Sequence, residues 1–194
     1  MASPYLPPMY DKQLENLAFK IDDLEETYES CRFSDCTFDD TNLSEITFED
    51  CTFTRCSFKR CGFKNTRLQD IRFEECEFLD IDFQDSAAIL RKMTFDRCRI
   101  ELSGFRDGGF EGMVMRSCQL TEVDFEYARC SNGDWRGSRF QRCIFEQTDL
   151  EDCDLRETQG LRMRPDRNFL KGSKFDPDGL YGLLAHHGIV LEGG

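Results

Sequence analysis

Residues 31–63 read CRFSDCTFDDTNLSEITFEDCTFTRCSFKRCGF, and their reading decides the fold. Every fifth residue is large and apolar: Phe33, Phe38, Leu43, Phe48, Phe53, Phe58 and Phe63. The spacing continues through Leu68, Phe73, Phe78 and Phe83 to a weaker Ala88. It then slips by two residues and resumes at Phe95, Ile100, Phe105, Phe110, Met115, Leu120, Phe125, Cys130, Trp135, Phe140, Phe145, Leu150 and Leu155. A period of five matches neither a 3.6-residue helix nor a two-residue strand. It fits a coil of flat sides, one pentapeptide per side, whose central residue points at the axis. Four sides per turn bring Phe33, Phe53 and Phe73 into one column. Coils spaced like neighbouring strands, ~4.8 Å apart, make six turns a rod roughly 30 Å long. No coil buries its own apolar face, so stability comes from stacking.

A second inward position lies two residues before each centre. It holds Cys31, Cys36, Thr41, Ile46, Cys51, Cys56 and Cys61 in the opening stretch, and stays small or apolar thereafter. Ten of the 11 Cys sit there, and Cys130 takes a centre. Free Cys packs as a small hydrophobe, so the cysteines are read as structural. Spacing of five sends neighbouring thiols inward from different walls and lacks the C-x2-C pairing of zinc sites. No metal and no cofactor is expected.

Three regions follow. Residues 1–30 form an N-terminal arm, with an irregular stretch over 1–13 and a partial cap coil through Leu14, Phe19 and Leu24. Residues 31–158 form the repeat, with a register break at 84–94 in which Arg91 and Lys92 belong to a bulge loop. Residues 159–194 form a distorted last coil, strained by Arg162, Arg164 and Arg167, with Leu170 and Phe175 back in register. A helix about ten residues long then starts at Asp176-Pro177, followed by a short strand at Ile189-Val190-Leu191. The fold class is an all-β solenoid, a quadrilateral β-helix with a short C-terminal α-helix.

The 194 residues carry 25 basic and 38 acidic side chains, a net charge of −13. That balance argues against direct nucleic-acid or anionic-membrane binding. No apolar run is long enough to span a bilayer, and a cytoplasmic location is expected. Two walls concentrate the acid. One, the wall of Leu43, Phe63 and Phe83, carries Glu45, Asp82, Asp85, Asp107, Asp124, Glu126 and Glu146 against Lys64 and Arg106. The next, the wall of Phe48 and Leu68, carries Glu49, Asp50, Asp70, Glu111, Asp149, Glu151 and Asp152 against Arg67 and Arg129. The wall of Phe33 is balanced. No phosphate loop, paired-carboxylate cleft or nucleophile constellation is present, and no catalytic residue is assigned.

The repeat resembles the pentapeptide repeat proteins, whose fold is a right-handed quadrilateral β-helix. Two stretches, Asp82-Phe83-Gln84-Asp85-Ser86-Ala87-Ala88 with Arg97-Cys98-Arg99, and Asp134-Trp135-Arg136-Gly137-Ser138-Arg139-Phe140 with the apolar tail at Gly188-Ile189-Val190, are similar to the Qnr-type and MfpA-type proteins and to the immunity protein for microcin B17. The resemblance implies a DNA-mimicking homodimer that binds DNA gyrase or topoisomerase IV in a basic saddle and relieves poisoning by quinolones or peptide toxins. The chain has no insertion comparable to the long projecting loops of the Qnr type. The expected dimer contacts are Leu180, Leu183, Leu184, Ile189 and Val190. The alternative is a scaffold whose partner is unrelated to DNA.

Overall fold

The structure is a computed structural model and describes residues 9–20, 23–84 and 91–184. Short strands of about three residues pair in parallel, mostly 20 positions apart, into a four-walled solenoid of about eight coils between Met9 and Phe175, two more than the repeat alone predicts. Wall A stacks Leu14, Phe33, Phe53, Phe73, Phe95 and Met115 through strands that include Arg67–Glu74 and Arg91–Asp96. Wall B stacks Phe58, Phe78, Ile100, Leu120 and Phe140. Wall C is the wall of Phe63, Phe83, Phe105 and Phe125, and wall D stacks Met9, Tyr28, Phe48 and Leu68. Both inward positions are sealed along most of the rod, and the rings stack within columns and meet edge-on between them.

Each wall is tied to the next coil by a fixed set of backbone bonds. The centre N–H reaches upward, as Phe38 does to the carbonyl of Ser57 at 2.8 Å, and the corner N–H does likewise, as Asp40 does to Lys59 at 2.7 Å. The carbonyl two residues before the centre accepts from above, as Thr41 does from Gly62. The corner, two residues after each centre, turns the chain by adopting a left-handed φ of 47–75° along the rod. An L-residue there costs roughly 1–2 kcal/mol, least for Asp and Asn, which is why Asp35, Asp40, Asp50, Asp70, Asp80, Asp107 and Asp152 stand at corners. The repeat therefore carries a conformational requirement as well as a hydrophobic one.

The inward Cys, Ser and Thr also have a polar duty. The carbonyl of a centre residue is left out of the inter-coil ladder, and the small side chain 23 residues later donates to it. Thr66 Oγ1 donates to Leu43 O at 2.7 Å, Cys61 Sγ to Phe38 O at 2.9 Å, Ser138 Oγ to Met115 O at 2.6 Å and Thr148 Oγ1 to Phe125 O at 2.8 Å. A buried carbonyl needs a donor, and a compact thiol or hydroxyl supplies one beside the rings. Gly133 and Gly108 fill the same position where Trp135 and Phe110 take its space; a Cβ at Gly108 would lie 2.2 Å from the Phe110 ring.

All 11 Cys are free thiols, ten of them buried and Cys143 half-buried. Burial pushes the thiols of Cys51, Cys61 and Cys153 up to about 12. At pH 8 such a group is thiolate in roughly one molecule in ten thousand, and the thiolate is the nucleophile. Native protein given iodoacetamide at pH 8 is expected to be alkylated first at Cys143, with the others modified only in denaturant. Peptide mass mapping of briefly treated samples checks this.

Three sequence expectations change. The first coil begins at Met9, not after residue 13: Met9–Tyr10 pairs with Tyr28–Glu29, and Leu14 lies against Phe33. This coil is 19 residues long, so Tyr28 is a fully buried centre although it falls four residues after Leu24. Second, Arg91 and Lys92 are not in a bulge. Arg91 pairs with Gln69 and Lys92 takes a left-handed corner above Asp70, so the two extra residues are absorbed before Arg91. Third, the helix starts later than Asp176-Pro177. A turn spans 177–179, its described part is Leu180–Leu184, and the Asp176 carboxylate accepts from the Glu157 N–H instead of capping it. Leu170 and Phe175 return to the ladder as expected, through Asp149 with Phe169 and Asp154 with Lys174. The tail strand lies outside the described residues.

Candidate interaction surface

Walls C and D are adjacent, so their two acidic sets form one continuous flank. On wall C, Asp82, Gly104, Asp124 and Ile144 are successive rungs at the position before the centre. Asp82 and Asp124 each accept the N–H two residues on, from Gln84 and Glu126 at 2.9 Å, and Asp149 of wall D accepts from Glu151 at 3.0 Å. These three aspartates are turn-formers as well as charges. Glu45, Asp50, Asp70, Asp107 and Asp152 occupy corners. Glu49, Glu111, Glu126, Glu146 and Glu151, each one residue past a centre, have no backbone role to account for their charge.

Ion pairing separates this flank from the rest of the rod. Arg106 is shared by Asp124 at 3.1 Å and Glu126 at 2.6 Å, Arg129 pairs with Glu111, and Arg167, from the distorted last coil, pairs with Glu146. Glu45, Glu49, Asp50, Asp70, Asp82, Asp107, Asp149, Glu151 and Asp152 have no ion pair among the described residues. Asp85 lies outside them. The register adds Arg91 and Lys92 to wall D, which lowers its excess of acid from the sequence count.

Walls A and B are laced instead. Arg55 clamps Asp35 one coil below, Arg60 clamps Asp40, Arg97 holds Glu75 and Arg142 holds Glu122. Further up wall A, Asp134 lies between Arg116 and Arg136, and Asp154 between Arg136 and Arg156. The guanidinium groups, Arg136 foremost, hold the Asp134 carboxyl well below the usual carboxylate range, and Arg156 lowers that of Asp154. A carboxyl whose pKa is depressed in the fold adds stability above its unfolded pKa, ~3.9, and loses it as pH falls toward the folded value. Thermal midpoints are expected to hold level from pH 8 to about 5 and drop below that. Asp134→Asn is expected to flatten the drop.

The dimer contacts proposed from sequence divide. Leu183 is buried against the chain's own core, and Gly182 sits so close to the carbonyl of Leu161 that a Cβ there would overlap it. Leu184 is half-buried, whereas Leu180 and the neighbouring Tyr181 are 44% and 50% exposed. Leu183 thus docks the helix and does not face outward. Ile189 and Val190 lie outside the described residues. No cluster of metal-ligating side chains occurs among the described residues, and no described helix is long and apolar enough to cross a membrane.

The family model for the pentapeptide repeat region matches residues 26–105, and that for pentapeptide repeats, in eight copies, matches 118–156. This chain is a pentapeptide repeat protein. A solved structure of QnrB1 (R167E, trypsin-treated), a plasmid-mediated fluoroquinolone resistance protein, superposes with a TM-score of 0.65 at 17% identity, covering 96% of this chain and 100% of that one. HetL, a pentapeptide repeat protein involved in heterocyst differentiation regulation from the cyanobacterium Nostoc sp. strain PCC 7120, matches at 12% identity over 88% and 90% with a TM-score of 0.39. No curated protein matches in sequence. At these identities the QnrB1 likeness shows the fold alone. Within this pentapeptide repeat protein, function rests on the side chains that the rod displays.

Proposed function

We propose that this protein is a DNA mimic that binds a type II topoisomerase, DNA gyrase or topoisomerase IV, and confers resistance or self-immunity to a poison of that enzyme. The observation that carries the reading is the largely unpaired acidic flank of walls C and D, where nine carboxylates have no ion pair among the described residues, beside two walls whose charges are cross-paired. A duplex is a rod of fixed negative charge that a basic groove binds largely by counterion release. A solenoid whose coils, ~4.8 Å apart, display carboxylates along one flank offers the same kind of target, on a scaffold that buries its rings and needs no nucleic acid. The likeness to QnrB1, a fluoroquinolone resistance protein, supports the choice of enzyme class.

The mimic is a homodimer in this reading. One rod of about eight coils is roughly 40 Å long, and two joined at their C-terminal ends would double the acidic flank. Leu180, Leu184 and Tyr181 supply the outward contacts, with Ile189 and Val190 beyond them, and Leu183 supports from inside. The test is a gyrase supercoiling and cleavage assay, with and without a quinolone or a peptide toxin, at micromolar protein. Reduced cleavage-complex formation, or direct inhibition of supercoiling, is expected. No effect on either would favour a scaffold with another partner.

A further inference from the structure

The regular ladder makes an interruption in it easy to locate. Most centre and corner N–H groups point to the following coil, with Phe63 and Asn65 as exceptions near the register break, and at Phe140 the pattern holds, with its N–H on Gln159 O at 2.8 Å. It resumes at Gln147, whose N–H reaches Arg167 O at 2.8 Å, and at Leu150. Between them, the N–H groups of Arg142 and Phe145 have no hydrogen-bond partner among the described residues. The cause is the course of the next coil. Gly160 turns with φ 69°, Gly182 packs onto the Leu161 carbonyl that Arg142 would otherwise reach, and Pro165–Arg167 forms a 3-10 turn. The chain bows away and leaves a slot.

That slot has a volume of about 450 Å³ and is lined by Phe140, Gln141, Arg142, Cys143, Gly160 and Arg162. It explains why Cys143 is less buried than the other ten thiols. No carboxylate lines it. Arg142 stands at its rim, held by Glu122 at 2.6 Å, and the exposed Arg162 has no ion pair among the described residues. The unpaired Arg142 N–H at the edge of this gap, with the Arg142 and Arg162 guanidinium groups beside it, offers charge-assisted donors to an anion. In a chain of net charge −13, such a concavity stands apart from the acidic flank.

We propose that this slot binds one oxyanion, a phosphate or a carboxylate group, with Arg162 as its principal charge partner and the Arg142 N–H group as a donor. The site does not depend on the topoisomerase reading and survives its failure.

The test is an amide-resolved NMR titration of the full chain with sodium phosphate, and separately with sodium acetate, at constant ionic strength. Saturable shifts of the Arg142 amide are expected, and Arg162→Gln should weaken binding ~tenfold, the scale of one lost charge-assisted bond. Arg162 is exposed, and unchanged amide positions elsewhere would show that the variant keeps the fold. Saturation by either anion supports the site and reports whether it prefers tetrahedral or planar oxygens. Linear, non-saturating shifts with both anions, or shifts that Arg162→Gln leaves unaltered, would mean an adventitious ion only and overturn the proposal.

Discussion

Phe58→Ala will lower the unfolding free energy by about 3–5 kcal/mol, the range for an aromatic ring deleted from a packed core. The ring is fully buried, lies flat between Phe38 at 4.8 Å and Phe78 at 5.0 Å, and meets Phe53 and Phe73 edge-on at 5.5 and 5.7 Å. Its neighbours cannot close the hole, because hydrogen bonds between coils fix the separation of Phe38 and Phe78. Deletion therefore removes contacts on every side at once. Phe169→Ala is the matched comparison: that ring is 55% exposed at the wall D surface, and its loss should change stability by no more than about 0.5 kcal/mol. Urea denaturation of both variants measures the difference. Equal losses would mean that the column does not carry the fold.

On the proposed topoisomerase-binding function, Glu49→Lys, Glu151→Lys and Asp152→Lys combined will weaken binding to the enzyme roughly a hundredfold. The estimate takes about 0.5 kcal/mol for each exposed attraction removed and the same for each repulsion introduced, with 1.4 kcal/mol to each factor of ten. These residues are chosen because the fold does not require their charge. Glu49 and Glu151 stand past the centre, and a cation already occupies a left-handed corner of the same wall at Lys92. Reversing Asp82 or Asp124 would be a poorer test, since each also ties its own turn. Glu15→Lys, Glu74→Lys and Glu157→Lys on wall A change the net charge by the same amount and should leave most of the affinity. Binding isotherms at one stated salt concentration read both triple variants.

The five-residue spacing of Phe and Leu gives the number of walls, the column partners and the sealed interior directly from sequence, because a single geometric demand recurs in every coil. The left-handed corner was not read, although its signal lay in the Asp and Asn placed two residues past the centres. The hydrogen bonds from inward Ser, Thr and Cys to the coil below also escaped, since small size alone was enough to explain those residues. Tyr28 was missed because one residue is absent from the coil before it, and a deletion of one destroys a period of five as a pattern while the ladder tolerates it. The extra pair near Arg91 was placed too late for a related reason: spacing shows that two residues were added between Phe83 and Phe95, and only pairing with Gln69 shows on which side. On the acidic flank the composition was legible, whereas the pairing of Glu146 with Arg167 was not, because Arg167 belongs to a coil with no regular register.

Competition with DNA tests the central claim most directly. Purified gyrase carrying a fluorescent linear duplex would be titrated with the wild-type protein, with anisotropy as the readout. The mimicry account predicts full displacement of the duplex, weakening as salt rises and lost in the Glu49, Glu151 and Asp152 reversal variant. A stable ternary complex, with the duplex undisplaced at saturating protein, would contradict it.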